Sequence, residues 1–273
     1  MKRVAWLTDI HLNFLKDVDR RQFVESIAAQ SPDAVLVAGD IGESVDVGHC
    51  LKEMADLVRR PIYFVLGNHD FYRGSIAQTR EEVTELAAGS DHLVYLTAAD
   101  FVELSPTTAL VGHDGWGDAR LGDFYGSDVL LNDFLLIDEL HLLNAERDDL
   151  DRPRLEPVLN ALGDEAAEHF ARVLPLAMES HRRVVALTHV PPFREAAWHQ
   201  GKPSDDDWLP FFACQAVGDC FLEAMRDRPD RELTVLCGHT HGSGETQILE
   251  NLRVLTGGAR YREPAIQRVF EFE

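Results

Sequence analysis

Five short apolar runs in this chain each stop abruptly at side chains able to bind a metal ion. Residues 3–8 lead into Asp9-Ile10-His11, 34–38 into Gly39-Asp40, and 61–66 into Gly67-Asn68-His69-Asp70. Further on, 183–188 lead into His189 and 233–237 into Gly238-His239-Thr240-His241. Apolar runs of this length, closed by glycine or a polar turn, read as buried strands. Between the first three lie 17–30 and 47–59, and 76–88 follows the third. Phe23, Val24 and Ile27 in the first of these, and Leu51, Met54, Ala55 and Val58 in the second, have helical spacing. Strand and helix in alternation predict a parallel sheet whose strand ends converge.

The rest of the chain has a different texture. Shorter strands are expected at 92–97, 101–104 and 108–112, followed by the Gly-rich stretch His113 to Asp118. Residues 128–183 read as a mostly helical insertion, with a break at Pro153 and Pro157. Leu130, Leu131, Phe134, Leu135, Leu140, Leu142 and Leu143 are expected to form its core. A helix at 217–226 and strands at 246–249, 252–256 and 266–272 complete the reading. At 273 residues the chain can bury one full core, so 1–273 is expected to be a single domain carrying that insertion.

Charge and cysteine usage exclude some functions. A net charge of -21 without a basic stripe argues against a long nucleic-acid partner. An acidic protein can still take a small phosphate if bound cations reverse the local field. The four cysteines show no C-x-x-C spacing, which suits reduced thiols and a cytoplasmic location. The apolar run before Asp9 is too short for a signal peptide, and no stretch approaches a membrane span.

Asp, Asn and His together suit manganese, iron or zinc better than magnesium or calcium. In extended backbone, residues two apart face the same way, so Asp9 with His11, and His239 with His241, each offer two ligands to one side. Asp40 has two oxygens and can bridge. So many ligands exceed the needs of one ion. Two metals about 3.5–4 Å apart are the arrangement that hydrolyses phosphate esters.

These blocks, in this order, resemble the calcineurin-like metallophosphoesterases. The resemblance implies an α/β fold, a four-layer αββα sandwich of two mixed sheets flanked by helices, with the metal site at the C-terminal strand edge. It implies a first metal on Asp9, His11, Asp40 and His241, and a second on Asp40, Asn68, His189 and His239. His69 would be the general acid, oriented by Asp70. The activity implied is dinuclear hydrolysis of phosphate mono- or diesters of a small molecule or nucleotide by metal-bound hydroxide. After Asp40, however, the chain reads Ile41-Gly42-Glu43-Ser44, where the family's protein Ser/Thr phosphatases continue Asp-Arg-Gly. That counts against a protein phosphatase, the alternative reading, with Arg73 and Arg120 as candidate substitutes for the missing arginine. A non-catalytic binding scaffold on the same fold would be expected to have lost ligands, and here all are present.

Other positions have two readings. His113 to Trp116 either lines the pocket or forms a tight turn with a packed indole. Trp198, His199 and Trp208 form either a lid or a pinned surface loop. Asp205 to Asp207 are a solvated run or a helix start, and Cys237 is a small core residue. His49, His92, His141, His169 and His181 are given no role.

Overall fold

The computed structural model describes residues 1–141, 143–144 and 149–273. Leu142, expected in the core, lies outside the described residues. The elements in chain order are β1 (Lys2–Leu7), α1 (Asp17–Ala29), β2 (Ala34–Ala38), α2 (Val47–Val58), β3 (Ile62–Val65), α3 (Ile76–Ala88), β4 (Leu93–Tyr95), β5 (Val102–Ser105) and β6 (Thr108–His113). A short helix α4 (Asp133–Leu136) and the two-residue strands β7 (Leu143–Asn144) and β8 (Asp149–Leu150) precede the long α5 (Arg152–Ser180). Then come β9 (Arg183–Thr188), the small hairpin β10 (Trp198–His199) and β11 (Lys202–Pro203), α6 (Leu209–Phe212), α7 (Gln215–Arg226) and β12 (Glu232–Cys237). Strands β13 (Gly244–Leu249), β14 (Leu252–Thr256) and β15 (Arg268–Phe272) follow.

Two large mixed sheets result, with strand orders β15-β1-β2-β3-β4 and β13-β14-β12-β9-β6-β5. Strands β1 to β4 are mutually parallel, as are β6, β9, β12 and β14, while β15, β13 and β5 pair antiparallel. The period-2 alternation of strand side chains separates the layers. Ala34, Leu36 and Ala38 of β2 pack in one cluster with Val185 and Leu187 of β9 and Leu236 of β12, so the two sheets meet face to face. The alternate residues Val35 and Val37 face α1 and α2, and Val184 and Ala186 face α5 and α7. Both faces of each sheet are covered, which is why these strands are continuously apolar in sequence. The expected αββα sandwich is what forms.

The segment from 128 onward differs from its reading in two respects. Pro157 and Pro175 lie inside one 29-residue helix, and Pro153 sits in its first turn, where a missing N–H costs nothing. At 1.5 Å per residue that helix is roughly 44 Å long. It reaches from the cluster around Leu155 and Leu159 to the one around Phe170 and Val173, and it connects the parallel neighbours β6 and β9. Phe134 and Leu140 are buried as expected, but Leu130 and Leu135 are 51% and 41% exposed. Cys237 is fully buried beneath α5 and α7, as expected of a small core residue.

Phe170 of α5 lies edge-to-face against Phe221 of α7, ring centroids 4.8 Å apart. Phe170→Ala removes a fully buried ring from that layer and should lower stability by roughly 3–5 kcal/mol. Urea unfolding of the two proteins measures it.

Candidate metal centre

The ligands stand on turns just past the strand ends, and most of those turns are left-handed. Asp9, His11, Asp40, His239 and His241 all have φ between 41° and 68°. The expectation that Asp9 and His11, or His239 and His241, share a side through extended backbone is therefore wrong. Turns, and not the pleat, aim them. Non-glycine residues hold this conformation only where their surroundings impose it. Here the turns lock one another: His11 N–H donates to the Asp40 carbonyl at 2.9 Å, Asp9 N–H to Gly39 at 3.1 Å, and Gly238 N–H to His189 at 2.9 Å. Close approach also requires glycine. A Cβ at Gly67 would sit 2.2 Å from Asp40 Oδ1, and one at Gly238 2.0 Å from Asp9 Oδ2.

Two groups of donors result, with Asp40 common to both. In the first, ligand atoms of Asp9, His11, Asp40 and His241 all lie within 4.8 Å of one another. His11 Nε2 is 3.2 Å from His241 Nε2 and 3.7 Å from Asp40 Oδ2, and His241 Nε2 is 3.4 Å from Asp9 Oδ1. Asp9 is fixed from behind by the Thr8 hydroxyl at 2.5 Å and the His239 N–H at 3.0 Å. In the second, Asn68 Oδ1 lies 3.1 Å from His189 Nε2 and 2.9 Å from His239 Nδ1. These two imidazole nitrogens are 3.2 Å apart, and Asp40 Oδ1 is 3.4 Å from His189.

The N–H groups of these rings and of the amide are spent outside the gap between those atoms. The Ala38 carbonyl, 2.8 Å from His189 Nδ1, takes that ring's N–H. The Phe211 carbonyl, 3.0 Å from His239 Nε2, takes the other. Asn68 spends its amide hydrogens on Tyr72 Oη and on Asp133 Oδ1, at 3.2 and 2.8 Å. What remains, once Asp40 gives up its proton, are four acceptors with their electron pairs facing inward. A cation bound at about 2.0–2.2 Å sets neighbouring ligand atoms roughly 3.0–3.4 Å apart. A water making hydrogen bonds to the same atoms would hold them about 4 Å apart or more. The observed spacing fits a cation.

Burial pushes His11 and His239 down to about 3, so both rings are neutral at ordinary pH and ready to ligate. Asp40 is held well above the usual carboxylate range by burial and by the nearby Asp9 and Asp70. A cation removes that penalty and displaces the proton.

His69 borders the site, its Nε2 4.0 Å from Asp40 Oδ2 and its ring against His11 and Tyr72. Asp70 does not orient it. That carboxylate accepts the N–H groups of Ile41, Gly42 and Gly67 at 2.7–2.8 Å, tying the turn after β3 to the turn after β2. His69 Nδ1 is buried with no partner among the described residues. The adjacency in sequence misled because a tight turn points successive side chains in different directions.

A family model described as calcineurin-like phosphoesterase matches residues 2–243. The chain belongs to the calcineurin-like phosphoesterases. It is thus a metal-dependent hydrolase of phosphoric esters, from a family that uses paired metals. Its fold is similar to that of phosphopantetheinyl hydrolase from Mycobacterium tuberculosis, with TM-score 0.67, 16% identity and coverage of 93% of this chain and 89% of that one. It is also similar to a dimetal phosphatase from Danio rerio, with TM-score 0.57, 17% identity and coverage of 94% and 87%. A third, TT1561 of Thermus thermophilus, gives 0.52 at 14% identity over 94% and 89%. No curated protein sequence matches the chain.

In this phosphoesterase the second group of ligands opens into a cavity of about 280 Å³. Its lining includes Leu130, Leu131, Asp133, His199, Trp208 and Tyr261, but no lysine or arginine. Arg73 is instead paired with Glu43, and Arg120 with Asp118 and Asp164. Neither replaces the arginine missing after Asp40. The stretch His113 to Trp116 resolves as a turn with a packed indole. Asp114 accepts from Leu66 N–H, Tyr95, Thr97 and Arg80, and its carbonyl accepts the His189 N–H. His199 and Trp208 line the cavity, while Trp198 sits over Gly242 and Gly244. Asp205 caps the start of α6 through its carbonyl, and Asp206 pairs with Arg194 at the surface.

Sequence reasoning missed Asp133, Tyr72 and the Phe211 carbonyl. Asp133 lies 65 residues from Asn68, and nothing local marks it. It is 3% exposed and accepts from both Asn68 and, at 2.7 Å, the Tyr72 hydroxyl. Asp133→Ala frees the Asn68 amide to rotate and should weaken binding of one cation about 10–100-fold, leaving the other nearly intact. Asp133→Asn, which keeps an acceptor oxygen, should lose less. Metal titration followed by calorimetry separates the two sites.

Proposed function

We propose that this phosphoesterase hydrolyses an ester of a small molecule or nucleotide with two cations of the manganese, iron or zinc class. One is held by Asp9, His11, Asp40 and His241, the other by Asp40, Asn68, His189 and His239. The observation that carries this reading is the set of four inward-facing acceptors around Asn68, each spaced within 3.4 Å of a neighbour. Cations held by these residues would supply Lewis-acid polarisation of the phosphoryl group and a water more acidic than in bulk.

The chain's own residues position and protonate. Asp40, reaching both groups, fixes their spacing. His69 stands at the cavity edge, where a departing alkoxide can take its proton. In the free site burial holds its pKa near 2, and the like charge of His11 adds to that. A phosphoryl anion within hydrogen-bond reach favours the imidazolium and raises that value. To serve as the acid, His69 needs that anion to outweigh burial and the nearby cations. The arginine-free lining of the cavity supports a small-molecule ester over a phosphoprotein. Among the described residues no helix is long and apolar enough to cross a membrane. The free thiols Cys50, Cys214, Cys220 and Cys237 support a cytoplasmic location.

Two variants test the assignment. His69→Asn should keep both cations and lose about 10²–10⁴-fold in turnover of alkyl phosphates. The loss should be smaller for aryl esters, whose leaving groups need little protonation; equal activity on alkyl esters would reassign the acid. Asp40→Asn should lower metal content per chain by elemental analysis, and unchanged stoichiometry would count against a shared carboxylate.

A further inference from the structure

Residues 208–212 both hold a ligand and wall the cavity. The Phe211 carbonyl receives the His239 N–H, while the ring of Phe212 stands edge-on to His239 at 5.1 Å. Trp208 lies 4.9 Å from Phe212 and 5.1 Å from His199, tilted 37° and 32° to them. All three rings line the cavity. Leu130, 51% exposed, lines it as well. Tyr261, also 51% exposed, stands over His11 with Phe14 behind it. Large apolar side chains left open to solvent around one cavity mark a binding surface.

The electrostatics select further. Asp40 and Asp133 are the carboxylates of the lining, and it holds no lysine or arginine. A phosphoryl group is neutralised where the cations sit. A second anionic group, carried on the alcohol, would meet Leu130, Trp208 and the buried Asp133 with no lysine or arginine to replace its hydration. The volume, about 280 Å³, falls just below the range of small-molecule sites, ~300–1,000 Å³.

We infer that this cavity is a subsite for the alcohol part of the ester, and that the alcohol is small, uncharged and presents a flat apolar face to Trp208. Substrates carrying a second charge on the alcohol are excluded by the same surface. This deepens the phosphoesterase reading and rests on it.

Non-hydrolysable phosphonates test the subsite without turnover. The metal-loaded enzyme is titrated with methylphosphonate, phenylphosphonate and 4-carboxyphenylphosphonate by calorimetry. Phenylphosphonate should bind about three- to tenfold tighter than methylphosphonate, the worth of one ring contact. The added carboxylate should reverse that gain. Trp208→Ala should abolish the phenyl-to-methyl difference. Leu130→Lys, a change at a half-exposed position, should favour the carboxylated ligand. Equal binding of phenyl- and methylphosphonate, or undiminished binding of the carboxylated ring, overturns the inference. Turnover of phenyl phosphate by the same preparation reports separately on the phosphoesterase reading, so each can fail alone.

Discussion

Electron pairs aimed at one another, on rings and an amide whose N–H groups are spent elsewhere, are the constraint on which the rest of this molecule depends. His189 Nε2, His239 Nδ1, Asn68 Oδ1 and Asp40 Oδ1 face a common point; the two rings and the amide are turned there by a bond on the far side, and Asp40 Oδ1 also accepts the His69 N–H. Without a cation the arrangement is repulsive. A flexible chain would relax it by rotating a few side chains. The turns, tautomers and amide orientation are all fixed so that it cannot. Preorganisation of this kind places the cost in folding and leaves the site ready for its ions.

The supports come from far apart in sequence. Asp70 gathers amides from two turns, and Asp114 ties the ends of β3 and β6 to Tyr95 and Arg80 while its carbonyl receives the N–H of His189. Both carboxylates are buried and accept several donors; burial still raises Asp70 to about 7, whereas the Arg80 guanidinium helps hold Asp114 below the usual carboxylate range. Left-handed backbone at Asp9, Asp40 and His239 survives for the same reason: neighbouring turns over-determine it. Stability borrowed from the two sheets is thus concentrated along one edge.

Ligand geometry and substrate preference also share parts. Because residues 208–212 carry both the carbonyl that orients His239 and rings that wall the cavity, a change in one is felt by the other. Asp133 joins the same two functions from the opposite side, lining the cavity while it holds Asn68. Under the proposed function, the surroundings of the metal centre are therefore part of what selects the ester.

The sequence by itself determined the strand-and-helix order, the two-sided burial of the sheets and which side chains are candidate ligands. Each of these is written in a local pattern: continuous apolar runs, helical spacing, and Asp, Asn and His at the turns. It also placed β14 and α3 with their observed bounds. Only the tertiary structure decided that Asp70 braces turns and does not touch His69, that Pro157 lies within a continuous helix, that Leu130 faces solvent, and that Arg73 and Arg120 are committed to carboxylates away from the cavity. The same holds for Asp133, whose partner is 65 residues distant. The division has one physical cause. Periodicity reports which way a residue faces within its own element, whereas the direction of a side chain on a left-handed turn, and the partner it meets, depend on how separate elements are packed together.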